Sequence, residues 1–231
     1  MKILKNILKK ILFSFGLDVR LTNFGRKNPI NLSEENSTFL KLYEKVKRNT
    51  LLSKDRLFII FQILQNCRLI DGEMAEIGVY KGGVGVLISE IIKNTPKALH
   101  LFDTFEGMPE VNKNKDLHNK GDFSDTSLKD VKALFDNKMN IYFHKGIFPE
   151  TAVPIKKKKY SFVHVDVDIY QSVIDSCEYF YDRLNKGAVM LFDDYGFLSC
   201  PGAKEAVDGF FKEKKESPIY LETGQAFIIK Q

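Results

Sequence analysis

The sequence predicts a doubly wound α/β fold, and three observations carry that prediction. From residue 73 onward, short apolar runs alternate with stretches of helical spacing, which is the pattern of a parallel sheet covered by helices. Two of the apolar runs end in acidic residues, as functional sites at the carboxyl ends of parallel strands do. Near the C-terminus, two apolar runs flank Thr223, Gly224 and Gln225, which predicts a tight hairpin and an antiparallel strand in a mostly parallel sheet.

The composition is that of a globular protein with one large core: 44% of its 231 residues are hydrophobic and 28% are charged. The net charge of +5 comes from lysines spread over the chain. The dense run Lys156–Lys159 has no interleaved aromatic residues, so binding to nucleic acid is not expected. Cys67, Cys177 and Cys200 are an odd number without metal-ligand spacing, which predicts a reducing, cytoplasmic location.

The N-terminal segment Met1–Phe15 is predicted to form a basic amphipathic helix, because its apolar residues fall on one helical face and most of its lysines do not. This helix either packs on its own domain or on a partner subunit of a homo-oligomer, or it lies weakly on an anionic membrane surface. We favour packing, since aliphatic anchors make a short helix a modest membrane binder. A loop is predicted at residues 17–36. Two helices are predicted after it, at Ser37–Arg48 and Ser53–Asn66.

The catalytic core is assigned to residues 71–231, with residues 1–70 as a helical extension packed on it. The expected strands before the hairpin are Glu73–Gly78, Ala98–Asp103, Asn140–His144, Phe162–Val167 and Ala188–Phe192, and the helices of the core are expected near residues 83–93, 126–136, 171–185 and 202–214.

The segment Glu76–Gly83 follows a strand and opens a helix, which is the context of a nucleotide-binding loop. Its glycines do not fit the dinucleotide pattern, and the acidic Glu76 suits a cationic ligand, such as the amino group or sulfonium of S-adenosylmethionine. A tight turn with packing glycines is the alternative. Asp103 ends the next strand, where it is expected to bind ribose hydroxyls, or else only to cap its loop.

Asp166 and Asp193 follow two buried apolar runs and are 193 − 166 = 27 residues apart, enough for a strand, a crossover helix and a return strand. This wiring places their carboxylates, with that of Asp194, side by side. Helix capping is the alternative role, but caps alone would leave three like charges uncompensated. Oxygen ligands without His or Cys favour Mg²⁺ or Ca²⁺, and such an ion would bind a substrate hydroxyl and lower its pKa.

Five motifs follow one another along the chain. They begin at Glu76, Asp103, Gly146, Asp166 and Asp193, and read EIGVYKGG, DTFEGMP, GIFPET, DVDIY and DDYG. In this order they resemble the macrocin O-methyltransferase family, metal-dependent enzymes that methylate sugar hydroxyls of macrolides and related glycosides. The resemblance runs from about Ser53 to Phe211 and implies a Rossmann-like class I methyltransferase sheet.

The resemblance, together with a more distant similarity to catechol O-methyltransferases, also implies site residues. The catechol enzymes have Asn where Asp194 stands, and Ile169 replaces their lysine base, so the base must come from elsewhere. The implied cofactor-binding residues are Glu76, Gly78, Tyr80, Gly82, Asp103 and Asp166, and the implied Mg²⁺ ligands are Asp166, Asp193 and Asp194.

His118 is the expected catalytic base, because the macrolide enzymes are thought to use a histidine from the corresponding mobile region. A solvated histidine in a polar loop is the alternative. Asp168 and Tyr170 lie next to Asp166 in sequence and are expected to orient the substrate or replace the base. The region Pro109–Thr126 is expected to form a lid over the site.

These residues together predict an O-methyltransferase that depends on S-adenosylmethionine and Mg²⁺ and acts on a hydroxyl of a sugar or glycoside, with a small molecule or glycan as its partner. Two alternatives remain. An NAD(P)-dependent oxidoreductase has the same fold class but no use for the acidic cluster. A non-catalytic, membrane-peripheral assembly protein would not need Glu76, Asp103 and the three metal-site aspartates intact.

Overall fold

A seven-stranded sheet organises the chain in this computed structural model, which describes residues 32–135 and 140–231. The strand order is β3-β2-β1-β4-β5-β7-β6, with parallel pairing from β3 to β5 and antiparallel pairing of β7 with β5 and of β6 with β7. The predicted mostly parallel sheet with antiparallel C-terminal strands is thus confirmed. The strands are β1 (Glu73–Ile77), β2 (Leu99–Asp103), β3 (Ile141–Lys145), β4 (Tyr160–Val165), β5 (Leu184–Phe192), β6 (Ile219–Tyr220) and β7 (Ala226–Ile229).

Seven α-helices are described alongside the sheet. Two short 3₁₀ turns, Glu150–Ile155 and Tyr181–Arg183, complete the regular structure of the described residues. No described helix is both long and apolar enough to cross a membrane. The helices are α1 (Leu32–Glu35), α2 (Ser37–Val46), α3 (Lys54–Cys67), α4 (Gly83–Ile92), α5 (Leu128–Ala133), α6 (Tyr170–Phe180) and α7 (Pro201–Phe211).

Side chains that alternate along the strands build a core on each face of the sheet. Met74 and Phe162 face the core that contains helices α2, α3 and α4, whereas Ala75 and Val163 face the core that contains α6 and α7. Residues Ser33–Gln231 form one compact unit, so α2 and α3 belong to the same body as the sheet. The predicted boundary at residue 70 stays a prediction, and the predicted helix at residues 1–15 lies outside the described residues.

Several element boundaries differ from the sequence prediction, among them the start of β5, the ends of α5 and α7, and the helix α1 within the predicted loop. Two further differences bear on the site. Strand β4 begins at Tyr160 and ends at Val165, two residues earlier than predicted at each end. The predicted helix at 171–185 stops at Phe180, because the 3₁₀ turn carries the chain into β5, where the buried Leu184 pairs with Tyr160. The revised end of β4 makes Asp166 the first residue beyond the strand.

The parallel hydrogen-bond ladder continues one residue past the strands and fixes the positions of the acidic residues. The backbone N–H of Asp166 donates to Ile77 O at 2.9 Å, and that of Asp193 donates to Val165 O at 2.9 Å. Asp166 and Asp193 therefore leave neighbouring strands at the same edge, as the sequence predicts. Two histidines, His100 and His164, are buried in β2 and β4.

Strand β7 offers a test of this arrangement with two adjacent isoleucines. The side chain of Ile228 is fully buried in the core that contains α6 and α7, whereas 48% of Ile229 is exposed. We expect Ile228→Ala to lower the free energy of unfolding by about 2–5 kcal/mol through a buried cavity, and Ile229→Ala by no more than about 0.5 kcal/mol. Urea unfolding followed by circular dichroism measures both, and equal losses would contradict the placement of β7 in the core.

Candidate active site

A cavity of about 300 Å³ opens at the carboxyl ends of the central strands. Its walls come from the loops that follow β1, β2, β4 and β5, with contributions from α3 and from the predicted lid. Most of the residues expected from the sequence line this one space. The predicted site residues in its wall are Glu76, Gly78, Tyr80, Asp103, His118, Asp166, Asp168 and Asp194.

Asp103 holds the loop after β1 in place. Its Oδ2 accepts hydrogen bonds from the backbone N–H of Val79 at 2.7 Å and of Tyr80 at 2.9 Å, while Oδ1 accepts from Phe105 N at 2.6 Å. Tyr80 has a φ of 51°, a left-handed conformation that is costly for a tyrosine and that these bonds help to maintain. Asp103 thus caps its own loop, as the alternative role proposed, and also shapes the loop after β1, which the sequence did not suggest; it lines the cavity as well.

Gly78 is required where this loop passes the end of β4. Its φ is 84°, and a Cβ atom added to it would lie 1.8 Å from the carbonyl oxygen of Asp166. The absence of a side chain lets the loop after β1 approach the acidic cluster after β4. Gly82 has a different position: it caps the N-terminus of α4 with a φ of 85° and does not line the cavity.

Glu76 is a buried carboxyl group in the wall of the cavity. Its Oε1 lies 3.4 Å from His164 Nδ1, and its Oε2 accepts no hydrogen bond from the described residues. Burial, followed by repulsion from Asp166 and Asp103, raises the pKa of Glu76 well above its usual range. An unsatisfied buried acceptor beside a cavity suits a ligand that brings its own positive charge or hydrogen-bond donor.

Three carboxylates converge in the part of the cavity next to β4 and β5. Burial raises the pKa values of Asp166, Asp168 and Asp194, and repulsion from neighbouring carboxylates adds to the increase at Asp166 and Asp194. Asp194 Oδ2 accepts a hydrogen bond of 3.0 Å from the backbone N–H of Asp168, whose φ of 59° is left-handed. The bond holds Asp168 in a conformation that aims its carboxylate away from the strand and toward the lid.

Asp193 does not line the cavity but is fully buried behind it. Gln225 Nε2 donates to its Oδ1 at 2.7 Å, and His164 Nε2 lies 3.5 Å from the same oxygen. The guanidinium of Arg56 contacts its Oδ2, which accepts no well-formed hydrogen bond. The neighbours Asp193 and Asp194 thus have different surroundings, which their adjacent positions in the sequence did not reveal.

Arg56 is a functional candidate that the sequence analysis missed. It extends from the first turn of α3 into the cavity, where its Nη2 lies 3.7 Å from Asp194 Oδ1 and 3.4 Å from Asp193 O. Its guanidinium also lies over the ring of Phe197, 4.6 Å from the centroid. An arginine in the first turn of an amphipathic helix usually faces solvent, so nothing in its local sequence indicated this role.

The lid brings His118 to the acidic cluster. His118 Nδ1 lies 3.3 Å from Asp122 Oδ2, and His118 Nε2 lies 3.7 Å from Asp168 Oδ1. The thiol of Cys200 completes the group, with its Sγ 3.4 Å from Asp168 Oδ1 and 3.6 Å from His118 Nε2. The structure therefore brings His118 next to Asp168 and adds a cysteine whose spacing in the sequence gave no sign of a site.

Asp116 anchors the lid to the body of the protein. This buried residue accepts a hydrogen bond of 2.8 Å from the backbone N–H of Tyr170, the first residue of α6, and so caps that helix from the lid. Gly202 makes room for it, since a Cβ at that position would lie 2.1 Å from Asp116 Oδ1. Tyr170 itself does not line the cavity, and its ring lies beneath the ammonium group of Lys115.

The family model and the curated proteins that this chain is similar to are all described as O-methyltransferases. The family described as Macrocin-O-methyltransferase (TylF) matches residues 46–221. The 8-demethyl-8-(2,3-dimethoxy-alpha-L-rhamnosyl)-tetracenomycin-C 4'-O-methyltransferase of Streptomyces olivaceus is 26% identical over 148 residues, which cover 58% of this chain and 57% of that protein. The demethyldecarbamoylnovobiocin O-methyltransferase of Streptomyces niveus is 24% identical over 202 residues, which cover 78% of this chain and 76% of that protein.

Solved structures share the fold. The O-methyltransferase NovP superposes with a TM-score of 0.69 at 21% identity, covering 79% of this chain and 82% of that one. The methyltransferase PaMTH1 of Podospora anserina, solved bound to S-adenosylhomocysteine, has a TM-score of 0.59 at 12% identity and covers 90% of this chain and all of that one (100%). The sheet is thus that of class I methyltransferases, as the sequence predicts.

Proposed function

We propose, from the premise that the chain belongs to the macrocin O-methyltransferase family, that it transfers the methyl group of S-adenosylmethionine to a hydroxyl group of a sugar or glycoside. One observation carries the proposal. A single cavity joins the loop of Glu76 and Gly78 to the carboxylates of Asp166 and Asp194 and to His118. We assign to this cavity a cofactor loop, a cluster of cation ligands and a base, all within reach of one reacting centre.

The walls around Glu76 fit the cofactor. Its unpaired Oε2 supplies an acceptor for the cationic amino-acid end of S-adenosylmethionine, and Asp103 lines the same cavity at the end of β2, where a ribose binds in sheets of this kind. Because Asp103 already accepts three backbone hydrogen bonds, it contributes to binding chiefly by holding the loop of Val79 and Tyr80. The methyltransferase solved with S-adenosylhomocysteine supports this cofactor.

The donor set also fits a hard divalent cation. Asp166, Asp193 and Asp194 offer only carboxylate oxygens, and buried like charges that raise one another's pKa are stabilised by a cation. Asp166 and Asp194 face the cavity and would hold the ion directly, whereas Asp193 is engaged by Arg56 and would support it from behind. When bound, Mg²⁺ would supply a Lewis acid that lowers the pKa of the acceptor hydroxyl.

His118 is suited to remove the proton from the acceptor. If its Nδ1–H donates to Asp122, its Nε2 keeps a free lone pair, and this atom lies in the cavity beside Asp168. The carboxylate of Asp168 then stabilises the imidazolium that forms. In this proposal Asp122 orients the imidazole ring, His118 accepts the proton, and Asp168 stabilises the positive charge that results.

The acceptor class follows from the relatives. One is named for a tetracenomycin that carries a rhamnosyl group and another for demethyldecarbamoylnovobiocin, so a hydroxyl of a glycoside is the acceptor that we propose here. The family match disfavours an oxidoreductase, and the complete acidic cluster disfavours a non-catalytic protein. A homo-oligomer in the cytoplasm, with the N-terminal segment packed on protein, remains part of the proposal.

Cofactor binding can be tested at Glu76. We expect Glu76→Gln to weaken the binding of S-adenosylhomocysteine about 10- to 100-fold, because a charged hydrogen-bond partner is lost at constant volume. Isothermal titration calorimetry measures the effect. Glu73→Gln is the matched control on the same strand, since Glu73 pairs with His100 and Lys158 outside the cavity and should leave binding unchanged. Tight binding of NAD, without binding of S-adenosylhomocysteine, would contradict the proposal.

Methyl transfer itself tests the metal. On a panel of nucleotide sugars and glycosides, we expect activity to disappear in EDTA and to return with Mg²⁺. We expect Asp194→Asn to raise the Mg²⁺ concentration needed for half-maximal activity and to leave the affinity for S-adenosylhomocysteine unchanged. Asp208→Asn, an exposed aspartate bonded to Lys204 and Tyr195, serves as control. Undiminished methyl transfer in chelator would remove the metal from the mechanism.

The base can be tested in the lid. We expect His118→Ala to lower kcat about 10²- to 10⁴-fold, the usual range for loss of a general base, and to change the binding of S-adenosylhomocysteine little. Leu117→Ala truncates the neighbouring side chain, which is 69% exposed, and should leave kcat nearly unchanged. A rate and pH profile of His118→Ala equal to those of the unmodified enzyme would transfer the role of base to Asp168.

A further inference from the structure

We propose that His118, Asp168 and Cys200 form a second metal site, selective for a soft divalent ion such as Zn²⁺, and that its occupation blocks methyl transfer. The group lies at the lid end of the cavity, apart from the carboxylates of Asp166 and Asp194 that we assign to Mg²⁺. Metal binding at this group stands on its own geometry, and its consequence for methyl transfer rests on the proposed function.

The spacing of the three candidate ligand atoms matches a zinc site. The pairs Cys200 Sγ–Asp168 Oδ1, Cys200 Sγ–His118 Nε2 and His118 Nε2–Asp168 Oδ1 are separated by 3.4, 3.6 and 3.7 Å. Around a tetrahedral Zn²⁺ with its usual bond lengths, sulfur, nitrogen and oxygen ligands lie about 3.3–3.6 Å from one another. The three atoms therefore need to move little to share one ion.

The chemistry of the group selects a different ion from that of the carboxylate cluster. Imidazole nitrogen and thiolate sulfur favour Zn²⁺ and related transition metals, whereas an all-carboxylate set favours Mg²⁺ or Ca²⁺. His118 also has the partner that metal-bound histidines usually have, since its other ring nitrogen lies 3.3 Å from Asp122 Oδ2. A carboxylate in that position orients the ring so that Nε2 points at the metal.

The fold holds the three ligands in advance. Asp168 is kept in its left-handed conformation by the hydrogen bond to Asp194, and Cys200 is the residue that precedes α7. Asp116, anchored on Tyr170 N, fixes the lid two residues before His118. Three separate segments thus meet through interactions that do not involve the ligand atoms themselves, which is the kind of support that a metal site requires.

Coordination replaces a hydrogen bond that the metal-free protein already makes. The thiol of Cys200 donates to Asp168 Oδ1, and binding of Zn²⁺ would release that proton to solvent and leave a thiolate ligand. All three residues line the cavity, so water supplies the fourth ligand. The ion would take up the Nε2 lone pair of His118 and the charge of Asp168, the two groups that the proposed reaction needs.

Cobalt substitution and zinc binding test the site directly. We expect the full-length protein, saturated with Mg²⁺, to bind one Co²⁺ with a thiolate-to-cobalt charge-transfer band, and to bind Zn²⁺ in competition with a chromogenic chelator. Cys200→Ser should abolish the band and weaken Zn²⁺ binding at least about tenfold. Cys177→Ala removes a buried cysteine outside the cavity and should keep both signals. Thermal unfolding verifies that each variant is folded.

The outcomes separate this site from the proposed function. A charge-transfer band that persists in Cys200→Ser, or bound Zn²⁺ that excess Mg²⁺ removes completely, would overturn the site. Zn²⁺ that inhibits methyl transfer in the unmodified enzyme but not in Cys200→Ser would support the whole proposal. Zn²⁺ that binds without inhibiting would overturn the proposal that occupation of the site blocks methyl transfer. Because the band needs no acceptor, it can be observed even if the protein methylates none of the compounds offered.

Discussion

Negative charge buried at the ends of β4 and β5 is the constraint on which the rest of the site depends. The backbone ladder forces Asp166 and Asp193 out of neighbouring strands at the same edge, and Asp194 follows directly. Carboxylates in such a place are costly unless they are paired or bind a cation. The raised pKa values of Asp166 and Asp194 express that cost, and Arg56 offsets part of it. The remaining negative charge is the reason why we propose a divalent ion at this position.

This constraint explains why elements far apart in the sequence meet at Asp193. The N-terminal layer contributes Arg56 from α3, and the C-terminal hairpin contributes Gln225 from the turn before β7. Arg56 reaches Asp193 from the wall of the cavity, whereas Gln225 contacts it from behind the cavity. The helices ahead of the sheet and the antiparallel strands after it therefore support the acidic cluster, in addition to covering the hydrophobic core.

The two halves of the cavity are linked through the lid. Tyr80, in the cofactor loop, donates its hydroxyl to Asp125 at 2.9 Å, and Lys81 forms an ion pair with the same carboxylate at 2.5 Å. The segment that carries His118 is thus tied at one end to the cofactor loop and, through Asp116, to the start of α6. The predicted lid is therefore attached to the body of the protein at two points beside the cavity.

The sequence by itself determined the sheet, its antiparallel end and the residues at its strand ends, because alternating hydrophobicity and short motifs are local signals. Glu76, Asp103 and Asp166 were identified in this way. Only the tertiary structure decided that Asp193 is buried against Arg56 while Asp194 faces the cavity, that Tyr170 lies outside it, and that Cys200 joins His118. These facts depend on contacts between residues as much as 137 positions apart, which no local pattern records because packing alone brings such side chains together.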